Sequence, residues 1–126
     1  MASILVIDDN DPVRGFLRAA LESRGHSVAE AAQGRSAVQR LRESPVDLVM
    51  TDIYMPDCDG LEVIMTLRRE FPEVRIVAMS GGSGDRNLLM VARQLGAQEV
   101  LEKPINVDDL LKTIAAVLAD KSDADR

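Results

Sequence analysis

Asp8, Asp9, Asp52, Ser80 and Lys103 each end a short apolar run or follow one closely. Asp8-Asp9 follow Ile4-Leu5-Val6-Ile7, Asp52 closes Leu48-Val49-Met50-Thr51, Ser80 follows the run that ends at Met79, and Lys103 comes after Val100-Leu101-Glu102. Runs of four or five apolar residues bounded by turn formers read as strands buried on both faces. The carboxyl ends of such strands are where open α/β sheets bind ligands. Taken singly, each residue has an ordinary reading: Asp-Asp as a cap, Ser80 as a turn residue, Lys103 as a solvated charge. Taken together they define a chemistry. Three crowded carboxylates repel one another unless a cation compensates. Mg²⁺, or Mn²⁺ in its place, suits one or two carboxylates and bridges to a phosphate. A carboxylate can also be the nucleophile that becomes an aspartyl-phosphate. Transfer of a phosphoryl group then needs positive charge and donors around three equatorial oxygens. Lys103 and Ser80 are groups of that kind.

The elements that must position these residues alternate. The first strand, residues 4–7, leads to a helix with Asp11 as its expected N-cap and Pro12 in the first turn. Val13, Phe16, Leu17, Ala20 and Leu21 form one helical face, and Gly25 ends the helix. A weaker strand at Ser27–Ala31 precedes a helix at Gly34–Glu43 with Ala37, Val38 and Leu41 inward. After the strand ending at Asp52, Pro56 and Gly60 mark a loop. Asp59-Gly60-Leu61-Glu62 resembles a capping box for a third helix, with Leu61, Ile64, Met65 and Leu67 inward. A strand at 74–79 and the glycine-rich residues 81–84 lead to a fourth helix capped by Asp85, with Leu88, Leu89, Ala92 and Leu95 inward. A short strand at 98–101 precedes a last helix capped by Asn106, with Leu110, Leu111, Ile114 and Leu118 inward. Residues 1–119 form the expected domain, and 120–126 a polar tail. Five βα units imply a doubly wound parallel sheet with helices on both faces. The order 2-1-3-4-5 brings Asp8-Asp9 and Asp52 to the switch point.

At 126 residues and 46% hydrophobic content the chain suits one domain with a real core. A formal net charge of -6 argues against binding nucleic acid or anionic membranes. No stretch is long enough to span a bilayer, and the run at 4–7 is too short for a signal peptide. The lone Cys58 excludes an internal disulfide and fits a reducing, cytoplasmic setting.

The segments ILVIDDNDPVR, DLVMTDIYMPDCDG, RIVAMSGG and GAQEVLEKP resemble, in order, the motifs of the response-regulator receiver domain of two-component signalling. The resemblance spans nearly the whole chain. It implies a flavodoxin-like fold and acceptance of a phosphoryl group from a sensor histidine kinase or a histidine phosphotransfer protein. By motif position Asp52 matches the phosphoacceptor. Asp8 and Asp9 match the Mg²⁺-holding acidic pair, with Asp9 the direct ligand and the Tyr54 carbonyl a further one. Ser80 matches the switch hydroxyl and Lys103 the family lysine, before a proline whose peptide bond is usually cis. The loop at 81–83 and the turn at 95–97 are similar to those of small stand-alone receivers; separately, a monomer or weak dimer is expected. One position departs: Val100 stands where the family usually has Tyr or Phe. Without that aromatic, residues 81–84 and the start of the fourth helix are expected to report the phosphorylated state.

Two other readings compete. Asp9-Asn10-Asp11-Pro12-Val13 fits the DxDxV motif of haloacid-dehalogenase-like phosphatases, with Asp9 as nucleophile, but Asp108-Asp109 then fall at a helix start rather than after a strand. A flavin-binding flavodoxin-like module would need a phosphate loop after the first strand, where Asp8-Asp9 would repel the flavin phosphate. His26 reads as a strand-start residue rather than a phosphorelay histidine. The neighbouring acids of Cys58 disfavour its thiolate.

Overall fold

The computed structural model describes residues 1–55, 58–81 and 86–119, leaving aside the side chains of 54, 55, 58, 59 and 86–89. Strand β1 (Ser3–Ile7) leads into α1 (Asp11–Glu22), and β2 (Ser27–Ala31) into α2 (Gly34–Glu43). β3 (Leu48–Asp52) passes through β4 (Tyr54–Met55) and β5 (Cys58–Asp59) into α3 (Gly60–Glu70). β6 (Arg75–Ser80), α4 (Arg86–Leu95), β7 (Glu99–Glu102) and α5 (Val107–Ala119) follow. The main sheet is parallel in the order β2-β1-β3-β6-β7, the 2-1-3-4-5 arrangement expected from the alternation of elements.

Alternate residues of each strand serve opposite faces. Ile4, Val6, Met50, Val77 and Met79 pack with Leu17 and Leu21 of α1 and with Leu110, Ile114 and Val117 of α5. Leu5, Ile7, Val49, Ile76 and Ala78 pack with the inward residues of α2 and α3 and with Ala92 of α4. Each large apolar side chain so buried contributes about 1.5–3 kcal/mol. With both faces covered, the ends of the central strands are left as the place where buried polar groups can meet.

Several local expectations need correcting. The N-cap of α1 is Asn10, whose side chain accepts from Val13 N at 3.0 Å; Asp11 is the first helical residue and pairs with Arg14 instead. Phe16 and Met65 are exposed, 42% and 51%. The buried stripe of α1 narrows to Leu17 and Leu21, and that of α3 runs through Gly60, Val63, Ile64 and Leu67. Val117 is buried in α5 where Leu118 is only partly so. The segment after Asp52 is a small antiparallel hairpin rather than a plain loop.

Other expectations hold. Gly25 adopts φ 86°, with Gly25 N donating to Glu22 O and His26 N to Leu21 O, a left-handed helix end that suits glycine. Asn106 caps α5, accepting from Asp109 N at 3.1 Å. The Asp59 and Asp85 caps, Leu88, Leu89, most of the 81–84 loop and the 120–126 tail lie outside the described residues or side chains.

Candidate functional site

The register of β1 on β3 pairs Ile7 with Thr51, so the chain's next step sets Asp8 beside Asp52. Main-chain bonds fix both. Asp8 N donates to Ala31 O at 3.1 Å, and Ile53 N, just past Asp52, donates to Met79 O at 2.8 Å. Asp8 is fully buried, Asp52 5% exposed and Ser80 2% exposed, while Asp9 faces solvent. One carboxylate oxygen from each of Asp8, Asp9 and Asp52 lies within 4.8 Å of the others.

Lys103 reaches this cluster from just past β7. Its Nζ lies 2.6 Å from Asp8 Oδ2 and 2.9 Å from Asp52 Oδ2. Its backbone N donates to Ser80 O at 2.7 Å, which ties the end of β7 to the end of β6. Burial opposes the ammonium charge, but hydrogen bonds and attraction from Asp8 and Asp52 outweigh it, so the Lys103 pKa is raised. The Lys103-Pro104 peptide bond is cis, as the resemblance implied. Asp8, Asp9, Asp52, Ser80 and Lys103 therefore gather at one strand edge. Tyr54 begins β4 two residues beyond Asp52 and pairs with Asp59. His26 is remote in role: its Nδ1 accepts from Ala2 N at 3.1 Å where β1 and β2 begin.

Two supports escaped the sequence reading. Gly60 N donates to Ile53 O at 3.0 Å, and a Cβ on Gly60 would lie 2.5 Å from Asp52 O and 2.4 Å from Ile53 Cα. Glycine at this point lets α3 begin directly against the backbone of Asp52. Arg14 is the second: its Nη1 donates to the main-chain oxygen of Asp8. In sequence it closes the segment ILVIDDNDPVR on the polar side of a helix, and nothing in that spacing assigns it a role.

Comparison with known proteins accounts for this geometry. The profile of the response regulator receiver domain matches residues 4–115. Protein PilH of Pseudomonas aeruginosa is 35% identical over 121 residues, covering 94% of this chain and 99% of its own. Chemotaxis protein CheY of Bacillus subtilis is 33% identical, covering 91% of this chain and 96% of its own. The crystal structure of the receiver domain of NtrX from Brucella abortus superposes with a TM-score of 0.88 at 28% identity, covering 93% of this chain and 98% of that one. Against three other relatives the chain spans only 17%, 52% and 12% of their length. A flavodoxin-like sheet with an acidic crevice at its switch point defines the class. The chain belongs to the response regulator receiver domain family, and it is a phosphoacceptor signalling domain. The phosphatase alternative finds no support, and Asp108 and Asp109 lie in the first turn of α5.

Receiver domains bind Mg²⁺ at an acidic pocket, and the residues present here fit that ion. Three carboxylates converge as hard oxygen donors, more charge than the Lys103 ammonium alone can offset.

Proposed function

We propose that Asp52 is the residue phosphorylated, by a sensor histidine kinase or a histidine phosphotransfer protein. Asp8, Asp9, Asp52 and the Tyr54 carbonyl would hold Mg²⁺, with Mn²⁺ as a substitute. The observation that carries the reading is the buried pair Asp8 and Asp52 joined by one ammonium, 2.6 and 2.9 Å from their oxygens.

A carboxylate oxygen of Asp52 attacks the phosphorus of a phosphohistidine. The P–N bond breaks and the imidazole leaves with its electron pair, so the histidine is restored and an acyl phosphate remains. When bound, Mg²⁺ supplies charge neutralisation for the phosphoryl oxygens. Lys103 lies 2.9 Å from the acceptor carboxylate and would pair with a phosphoryl oxygen after reaction. Ser80, at the last position of β6, carries the hydroxyl that answers the new acceptors. The group adds about -1.5 to -2 charge and three acceptor oxygens, which drives the change that a partner reads. Val100, partly buried against the α2–α3–α4 face, has no ring, so an aromatic swing at that residue forms no part of the reading. The reading is of a cytoplasmic signalling domain that turns over no separate substrate and binds neither nucleic acid nor membrane, as a monomer or weak dimer. No described helix is long and apolar enough to cross a membrane.

Intact-mass measurement after treatment with acetyl phosphate and Mg²⁺ tests the assignment. One phosphoryl group on the wild type and none on Asp52→Asn is expected, and excess chelator should abolish labelling. Undiminished single labelling of Asp52→Asn would overturn it.

A further inference from the structure

Arg14 stands one turn into α1 with its side chain 13% exposed. Its Nη1 donates to Asp8 O at 2.5 Å, its Nε to Glu30 Oε1 at 3.1 Å, and its Nη2 to Asp11. Glu30, on β2, is fixed in turn: its other oxygen accepts from Arg18 Nη1 at 3.0 Å, and Arg18 Nε donates to Glu22 at 3.1 Å. A run of ion pairs along α1 thus ends on a main-chain carbonyl of the site. An exposed ion pair on its own contributes little. The contact with Asp8 is of another kind. The carbonyl that Arg14 holds belongs to the peptide joining Asp8 to Asp9, and the N–H of Asp8 is already bonded to Ala31 O. Asp8 is thereby fixed on both sides of its main chain, and the orientation of the Asp9 peptide follows.

We propose that Arg14 is a positioning residue for the acidic pair, with its guanidinium fork setting the peptide that aims Asp9 at the metal. The inference rests on Asp8 and Asp9 being the Mg²⁺-holding acids. A planar fork anchored at Glu30 and Asp11 holds a carbonyl in one direction, which a lysine cannot do.

The sign of one measurement separates positioning from charge. A cation close to the acids repels Mg²⁺, so on charge alone Arg14→Met should bind Mg²⁺ more tightly and Arg14→Lys as the wild type does. Positioning requires weaker binding in both, by about tenfold, the loss common when an outer support of a metal ligand is removed. The experiment is a Mg²⁺ titration of the whole chain followed by amide ¹H–¹⁵N shifts, without a phosphodonor. It is run at a temperature where circular dichroism shows each variant folded. The Asp9 amide, which shares a peptide with the Asp8 carbonyl, should also shift in both variants before any metal is added. If Arg14→Met binds Mg²⁺ as tightly as the wild type or more so, or if Arg14→Lys keeps wild-type affinity, the inference is wrong. Glu30→Gln keeps the guanidinium and weakens its anchor, and serves if the Arg14 variants do not fold. A smaller loss of affinity in it supports positioning, and wild-type affinity overturns it. A wild type with no saturable Mg²⁺ response would overturn the metal reading and this inference with it, whereas a failure confined to the variants would leave that reading standing.

Discussion

The two edges of the sheet use polar side chains in opposite ways. At the amino-terminal edge they bond mostly to main chain. His26 accepts from Ala2 N where β2 meets β1, and Asp47 accepts from Ser3 N at 2.9 Å where β1 meets β3. Gln98 Oε1 accepts from Ile76 N at 2.8 Å where β6 meets β7. Arg68 reaches across this edge to Pro72 O, Val74 O, Gly96 O and Gln98 Oε1. At the carboxyl-terminal edge, Asp8 and Asp52 are joined side chain to side chain through the Lys103 ammonium, with Asp9 beside them, and bonds between side chain and main chain hold Asp8, through Asn10 N and Arg14. Buried backbone groups left unpaired are costly, so lacing one edge stabilises the sheet. Grouping carboxylates at the other disfavours the resting state and favours whatever supplies positive charge. On the proposed reading, support of the fold and phosphoryl chemistry fall at opposite ends of the same strands.

Substitutions at the laced edge should therefore cost stability and spare labelling, and those at the acidic edge the reverse. Gly60→Ala should break this division with the largest effect. Its new Cβ meets main chain at 2.4–2.5 Å, which cannot swing aside. A loss of about 3 kcal/mol is expected in urea unfolding, together with slower labelling by acetyl phosphate, because Asp52 and Ile53 must shift. Unchanged stability would mean that α3 does not rest on the backbone of Asp52.

Arg68→Ala sharpens the comparison. It removes donors to three carbonyls and one amide oxygen. About 2 kcal/mol of stability should go, since half-exposed bonds to a charged group contribute less than buried ones. The labelling rate, measured where the variant is folded, should match the wild type. Slowed labelling would show that the two edges are coupled.

The smallest effect is at His26. Its Nδ1 acts as an acceptor, so protonation breaks the bond to Ala2, and burial lowers its pKa below 6.5. The unfolded chain then binds the proton more readily than the folded one, so stability present above pH 6.5 is lost as pH falls through the folded pKa. The slope cannot exceed about 1.4 kcal/mol per pH unit. Urea unfolding between pH 7.5 and 5.5 should show a decline in the wild type that His26→Gln lacks. Parallel curves for the two proteins would show that another group is responsible.

The sequence by itself determined the sheet and which polar groups meet at its edge. Apolar runs at 4–7, 48–51 and 76–79 are buried strands, and a parallel sheet with right-handed crossovers leaves few orders for them. The residues that end or follow those runs had to meet at one edge; Asp8, Asp9, Asp52 and Ser80 do, and Lys103, just past the shorter β7, joins them. These are short-range patterns, and each is visible within a dozen residues. Only the tertiary structure decided what supports the site and what laces the opposite edge. Asn10 rather than Asp11 caps α1, because the backbone is still extended at Asn10 and already helical at Asp11, whose side chain pairs with Arg14. Arg14 holds Asp8, Gly60 abuts Asp52, and Arg68 bonds the turn at Gly96. Long polar side chains have many rotamers of similar energy. Which acceptor each one takes depends on where strands and helices distant in sequence come to lie, and no local period records that.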